Sequence, residues 1–313
     1  MTVHNDSEAH AALLSSSPEC DFIGINRIID RNLHASLSAC IAVNKAHKDC
    51  VVILTTLGGD PHAGYRIARC LRHHYKKVCL LIPSLCKSAG TLIAVGADEL
   101  RIGDLGELGP LDIQVIKPAE TIERGSGLDV TTALQQCAQH AQMVFFSFFQ
   151  SSRRNLRLSP RLAGEFASEV TAGLLAPLYS QIDPLRLGEM QRAMAITLEY
   201  GSRLDGHTSN LKPGALARLA INYPAHEFVI DRKEARELFQ RVCALSDAEN
   251  FACMKLWGIL GTPTESGQEP FFILPEVPSG EIHGSNTRSL SAGDTNAKVA
   301  EPGPAGATSA GAG

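Results

Sequence analysis

Ser88 heads "SAGTLIAVGA", a stretch of small and apolar side chains, and it follows Gly59 by 29 positions. Acyl transfer through a serine requires three things: a hydroxyl on a rigid turn, backbone N–H groups facing the oxygen that becomes negative, and a base. Residue types supply the first two. Ser88 ends a strand-to-helix turn, and Ala89 after it offers one N–H. Ala89 and Gly90 leave room for the close approach of a substrate backbone. In "TTLGGDPHAG", Gly58 and Gly59 follow an apolar run and precede a helix. Glycine there permits unusual dihedrals and removes a side chain from the path, so a second donor would come from this turn. A serine opening a helix is also an ordinary N-cap, and that reading stands beside the chemical one.

The elements that must position these residues alternate. "DFIGINRII", "CVVILTT", "KVCLLIPS" and "ELRIG" are short apolar or β-branched runs, and the middle two read as strands buried on both faces. Between them, "NLHASLSACIAVNKAHK" has helical spacing. "PHAGYRIARCLRHHY" opens on Pro61 and carries Ile67, Leu71 and Tyr75 at four-residue steps. The pattern predicts βαβ units around a mainly parallel sheet. Turns after adjacent parallel strands meet on one edge, which would place Gly59 and Ser88 together. The second half is more helical. "VTTALQQCAQHAQMVFFSFFQSSRR" puts Leu134, Cys137, Ala141, Val144 and Phe148 on one stripe. "PLRLGEMQRAMAITLEYGSRL", "GALARLAINYP" and "DRKEARELFQRV" follow, the last with Asp231 and Glu234 at capping-box spacing.

Bulk properties narrow the class. The chain has 313 residues, 44% of them hydrophobic, with a formal charge of −4 and 5% aromatics. No basic run marks a nucleic-acid footprint, and few aromatics are available for base stacking. Nine cysteines lack metal-ligand spacing; reduced thiols and a cytoplasmic location are expected, with no metal and no cofactor. No apolar run reaches the ~18 residues of a bilayer crossing. Residues 1–20 read as a flexible arm and 21–277 as the folded domain. Residues 278–313, rich in Gly, Ala, Ser and Pro, read as a disordered tail.

"SAGTLIAVGADELRIGDLGELGPLDIQ", together with the Gly-Gly turn, resembles the serine dehydrogenase proteinase family. This is a branch of the Clp-like and signal-peptide-peptidase-like serine peptidases with a ClpP/crotonase fold. The resemblance extends over roughly residues 21–245 and is specific in 51–114. It implies Ser88 as nucleophile, Gly59 and Ala89 as oxyanion-hole donors, a peptide or protein substrate, and a homo-oligomer.

The base is where the pattern departs. Clp-type peptidases use a histidine after the serine, but the matching stretch here, "GPLDIQV", holds Asp112 and no histidine. No lysine lies between Lys117 and Lys212, which excludes a lysine on the long helix after residue 130. Lys87 adjoins the serine, but a sequence neighbour at such a turn points elsewhere. Lys117 stays open, and His140 sits at the edge of an apolar stripe. His226, in "YPAHEFVI", could approach from the far side of the sheet and, with Asp112, complete a triad by role. Two other functions compete with a serine hydrolase: a catalytically inactive oligomeric scaffold or peptide-binding protein of the same fold, and crotonase-like acyl-thioester chemistry.

Overall fold

The computed structural model describes residues 2–111, 114–116, 124–264 and 269–274. Its strands are β1 (Thr2–Asn5), β2 (Cys20–Asn26), β3 (Asp49–Thr55), β4 (Lys77–Ile82), β5 (Leu85–Cys86), β6 (Glu99–Ile102), β7 (Glu107–Leu108), β8 (Gln114–Ile116), β9 (Arg124–Ser126), β10 (Val242–Ala244) and β11 (Phe271–Leu274). Helices α1 (Ser7–Ser16), α2 (Arg31–Asn44), α3 (Pro61–His74) and α4 (Ala89–Val95) interleave with the early strands. The later helices are α5 (Gly127–Arg154), α6 (Pro160–Tyr179), α7 (Pro184–Thr208), α8 (Ala215–Ile221), α9 (Arg232–Leu238), α10 (Asp247–Lys255) and α11 (Trp257–Leu260).

Seven strands form one sheet in the order β1-β11-β2-β3-β4-β6-β10, parallel at every pairing except β11 with β2. Alternation along each strand sends its residues to opposite faces. Ile23, Val52, Leu80 and Leu100 are register partners in one row across the sheet. They pack with Leu37 and Ile41 of α2 and Ile67 and Leu71 of α3. Phe22, Val51 and Cys79 form the neighbouring row and face Leu13 of α1 and Ala252 and Cys253 of α10. Both faces are covered, which is why β3 and β4 read as unbroken apolar runs. Gly24 faces Phe271 in register, and the Phe271 ring occupies the space that a side chain at residue 24 would fill.

The predicted strands and the helices at 31–44, 61–74, 89–95 and 232–238 appear in place. The first twenty residues, expected as a flexible arm, instead contain β1 and α1, with Ala9 and Leu13 fully buried. Two apolar side chains four positions apart suffice to seat a short helix on a sheet face already supplied by α10. Asp231 caps α9 by accepting from the Glu234 N–H, but the Glu234 carboxylate bonds Arg218 and Tyr223 rather than closing the box. A complete capping box stands at Ser246 and Glu249 of α10. Helix α6, which packs along α5, and the pairing of β1 with β11 join residues that no local pattern links. The chain divides after Glu276, and the stretch Val277–Gly313 lies outside the described residues, as does the expected tail within it. No helix among the described residues is long and apolar enough to cross a membrane.

At the N-terminal ends of the strands, Glu99 accepts from Lys77 at 2.8 Å and from Arg101 at 2.9 Å. Arg101 also pairs with the buried Glu249, which accepts from Ser16. Burial alone would raise the Glu99 carboxyl, but the Lys77 and Arg101 hydrogen bonds outweigh it and hold it down at about 2. A depressed carboxyl stabilises the fold above its unfolded value and loses that contribution as pH falls toward the folded one. Glu99→Gln is therefore expected to lower stability at pH 7 on the order of 2–3 kcal/mol. It should also flatten the loss of stability between about pH 4.5 and 2, as read by urea denaturation across that range. An unchanged pH profile would refute the assignment.

Candidate active site

The site is built where β3 and β4 end. Beyond β3, the Thr56 N–H donates to the Leu85 carbonyl at 2.8 Å, and the Lys87 N–H returns a bond to the Thr56 carbonyl at 3.0 Å. This bridge between Thr56 and Cys86 draws the two turns into contact. The Thr56 hydroxyl, fully buried, donates to the Arg27 carbonyl and accepts from the Gly58 N–H. On the outer side, Ile29 pairs with Gly59. The Ile29 N–H donates to Gly58 and the Asp60 N–H donates to Ile29, both at 2.8 Å. In a parallel bridge of this kind the paired residue's own N–H points away from its partner.

Gly58 and Gly59 adopt φ of +102° and +143°, conformations that side-chain-bearing residues rarely take. A Cβ on Gly58 would stand 2.8 Å from Ser88 Cβ and 2.9 Å from the Lys87 carbonyl, so the serine lies directly against the glycine turn. A Cβ on Gly59 would collide with the Ile29 carbonyl. Among the described residues, neither the Gly59 nor the Ala89 N–H is taken by a backbone carbonyl.

Ser88 itself has φ 50° and ψ −110°, and its side chain makes no capping bond to α4. An N-cap residue sits in the extended region and caps with its oxygen, so Ser88 does not behave as one. A left-handed serine at a strand-to-helix turn is strained, and such turns project the hydroxyl outward. Behind it, helix α4 is buried throughout. The Thr91 hydroxyl bonds the Gly109 carbonyl at 2.7 Å, clipping α4 to the chain that leaves β7. Cys86 lies fully buried beneath, and burial pushes its thiol up to about 12, so it packs as a neutral group.

The other predicted residues divide. Asp112 and Lys117 lie outside the described residues. His140 is exposed on α5 rather than at a core edge. His226, half-buried, lies in the turn between α8 and Ile230. Ile230 exchanges two backbone bonds with Leu108 and joins the same core cluster as Cys86 and Ala89. The segment carrying His226 thus runs beside β7, on the face of the sheet that α4 covers, and not on the far side. Lys87, set aside in the sequence as a neighbour of Ser88, carries its Nζ to Glu107 at 2.5 Å. The signal available in the sequence was a lysine inside an apolar run, since a buried ammonium must find a carboxylate.

Gly58→Ala is expected to destabilise the protein by about 1–3 kcal/mol, through the left-handed backbone and the contact with Ser88. Gly164→Ala in α6, where a Cβ meets nothing within 4 Å, should leave stability unchanged or raise it by up to ~1 kcal/mol. Denaturant titration of both variants checks the contrast, and equal effects would refute the close packing at the turn.

Comparison with known proteins bears on this geometry. Residues 17–127 match the family described as ClpP-like SDH-type serine proteinases. An uncharacterized protein of Methanocaldococcus jannaschii, MJ1495, is 38% identical over 64 residues, which are 20% of this chain and 22% of that protein. A second from the same organism, MJ0137, is 36% identical over 76 residues, 24% of this chain and 27% of that protein. The chain therefore spans about a quarter of the length of these curated relatives. The stretch that matches this family, residues 17–127, holds the glycine turn, the Ser88 turn and the strands that feed them.

Proposed function

We propose that the chain is a serine hydrolase, a Clp-like peptidase that works through an acyl-enzyme on Ser88. The observation that carries this reading is the left-handed Ser88 pressed against Gly58, with its side chain withheld from capping α4. Ser88 Oγ attacks the carbonyl of a peptide or protein substrate. The Gly59 and Ala89 N–H groups receive the oxyanion; removing one donor from such a pair costs about 10²–10³ in rate in serine proteases. His226 takes the serine proton and returns it to the leaving amine, and a water then releases the acyl group. Asp112 is assigned the orienting role on sequence grounds alone. The chemistry needs no cofactor.

The reading includes a homo-oligomer and a cytoplasmic location. Nine free thiols support a reducing compartment. Large apolar side chains on α5 and α6 support self-association: Met143, Phe146 and Leu174 are 63%, 58% and 56% exposed.

Fluorophosphonate labelling of the intact protein from pH 5 to 9, with peptide mapping, tests the chemistry. Ser88 should be modified, Ser88→Ala should fold and take no label, and His226→Gln should label about 10²–10⁴ times more slowly. A labelling midpoint in the ordinary histidine range, about 6.5, supports a histidine base, whereas one far above it points to a lysine. A folded wild-type protein that takes no label would leave the scaffold function in place of the hydrolase. Native mass spectrometry checks assembly. The protein should be multimeric, and Met143→Asp with Phe146→Asp should reduce its mass; a monomeric wild type contradicts self-association.

A further inference from the structure

Lys87 adjoins Ser88 in sequence, yet its side chain is only 5% exposed. An ammonium carries three N–H donors and no acceptor. Here three oxygens receive them: Glu107 Oε1 at 2.5 Å, the Leu108 carbonyl at 3.4 Å and the Phe228 carbonyl at 3.3 Å. Each donor is thus engaged, one of them by a carboxylate. The route of its side chain is also built. A Cβ on Gly109 would stand 2.7 Å from Lys87 Cδ, so the stem passes over a residue that must be small.

The three acceptors lie on two separate pieces of chain. Glu107 and Leu108 form β7, whereas Phe228 lies two residues beyond His226. The Leu108–Ile230 backbone pair already joins these pieces at Ile230. The Lys87 ammonium adds the tie at Phe228, on the His226 side of that pair. It does so from the residue that begins the Ser88 turn.

We propose that Lys87 is a positioning residue that fixes the 226–230 turn, and His226 with it, against the Ser88 turn. The inference rests on the reading of Ser88 as nucleophile and His226 as base. The Lys87–Glu107 pair orients this machinery without touching substrate.

The test combines hydrogen exchange over residues 224–232 with fluorophosphonate labelling against pH, on the full chain. The variants are Lys87→Met, Lys87→Arg and Gly109→Ala, with Lys87→Met/Glu107→Gln as a form in which neither charge is left unpaired. Lys87→Met should speed exchange in 224–232 at least about tenfold while β3 and β4 keep wild-type protection. Labelling should slow by about 10–100-fold with a displaced pH midpoint. Lys87→Arg should recover part of the rate. Gly109→Ala, which displaces the stem and keeps the charge, should resemble Lys87→Met. If Lys87→Met does not fold, the double variant takes its place with the same expected changes. Unchanged exchange in 224–232 overturns the tie. Faster exchange with wild-type labelling rate and midpoint overturns the role in catalysis. If the wild type takes no label, the hydrolase reading fails by itself, and the exchange measurement alone decides whether Lys87 fixes the turn.

Discussion

Two backbone hydrogen bonds, from the Thr56 N–H to Leu85 and from the Lys87 N–H to Thr56, are the constraint on which the candidate site depends. They lie just past the ends of β3 and β4, where the parallel sheet stops supplying partners. Each turn alone is an ordinary connection between a strand and a helix. Joined, they leave no room for a side chain at residue 58, and the serine lies where that side chain would have been. The glycine therefore has two physical duties. It takes a backbone conformation closed to other residues, and it vacates space for the neighbouring turn. Holding Ser88 in a left-handed conformation is unfavourable, and it persists because the buried helix α4 and the Thr91 clip over-determine it.

Charge is placed at both ends of the strands but to different purposes. At their N-terminal ends, Lys77, Glu99, Arg101 and Glu249 knit strand starts to α10 and, through Ser16, to α1. That network secures layers that hydrophobic packing has already brought together. At the C-terminal ends, Lys87 and Glu107 are enclosed by the turns around Ser88. A buried ion pair contributes little net stability compared with an apolar pair of the same shape, because both charges leave water. Its value lies in direction: an ammonium satisfied by three particular oxygens fixes where those oxygens stand.

Much of the fold was legible because burial on both faces leaves a direct mark. The runs in β3 and β4 contain no polar alternation, and α3 carries its apolar residues at helical steps. The contact of the glycine turn with the serine turn, made by Gly58, followed from one topological fact, that parallel strands end on one edge. What escaped were the parts fixed by distant partners. α1 is seated by α10, nearly the whole chain away in sequence, so its short polar sequence resembled an arm. Glu234 matched a capping box by spacing but found Arg218 and Tyr223 closer to hand. His226 could be nominated by residue type, but its placement depends on the Ile230–Leu108 bridge and the reach of Lys87, neither of which leaves a periodic trace.

The strand β11 lies between β1 and β2, so the sheet receives one of its inner members from residues 271–274. During synthesis, β2 therefore emerges with its outer edge unpaired. It stays so until some 245 further residues have been made, Asn26 to Phe271. At the usual elongation rates that interval is on the order of tens of seconds. An apolar edge such as Phe22–Ile25 is then open to pairing with a neighbouring nascent chain. The order of translation, set by this one out-of-sequence strand, makes completion of the sheet a late event, and the cell must shelter the earlier strands until it occurs.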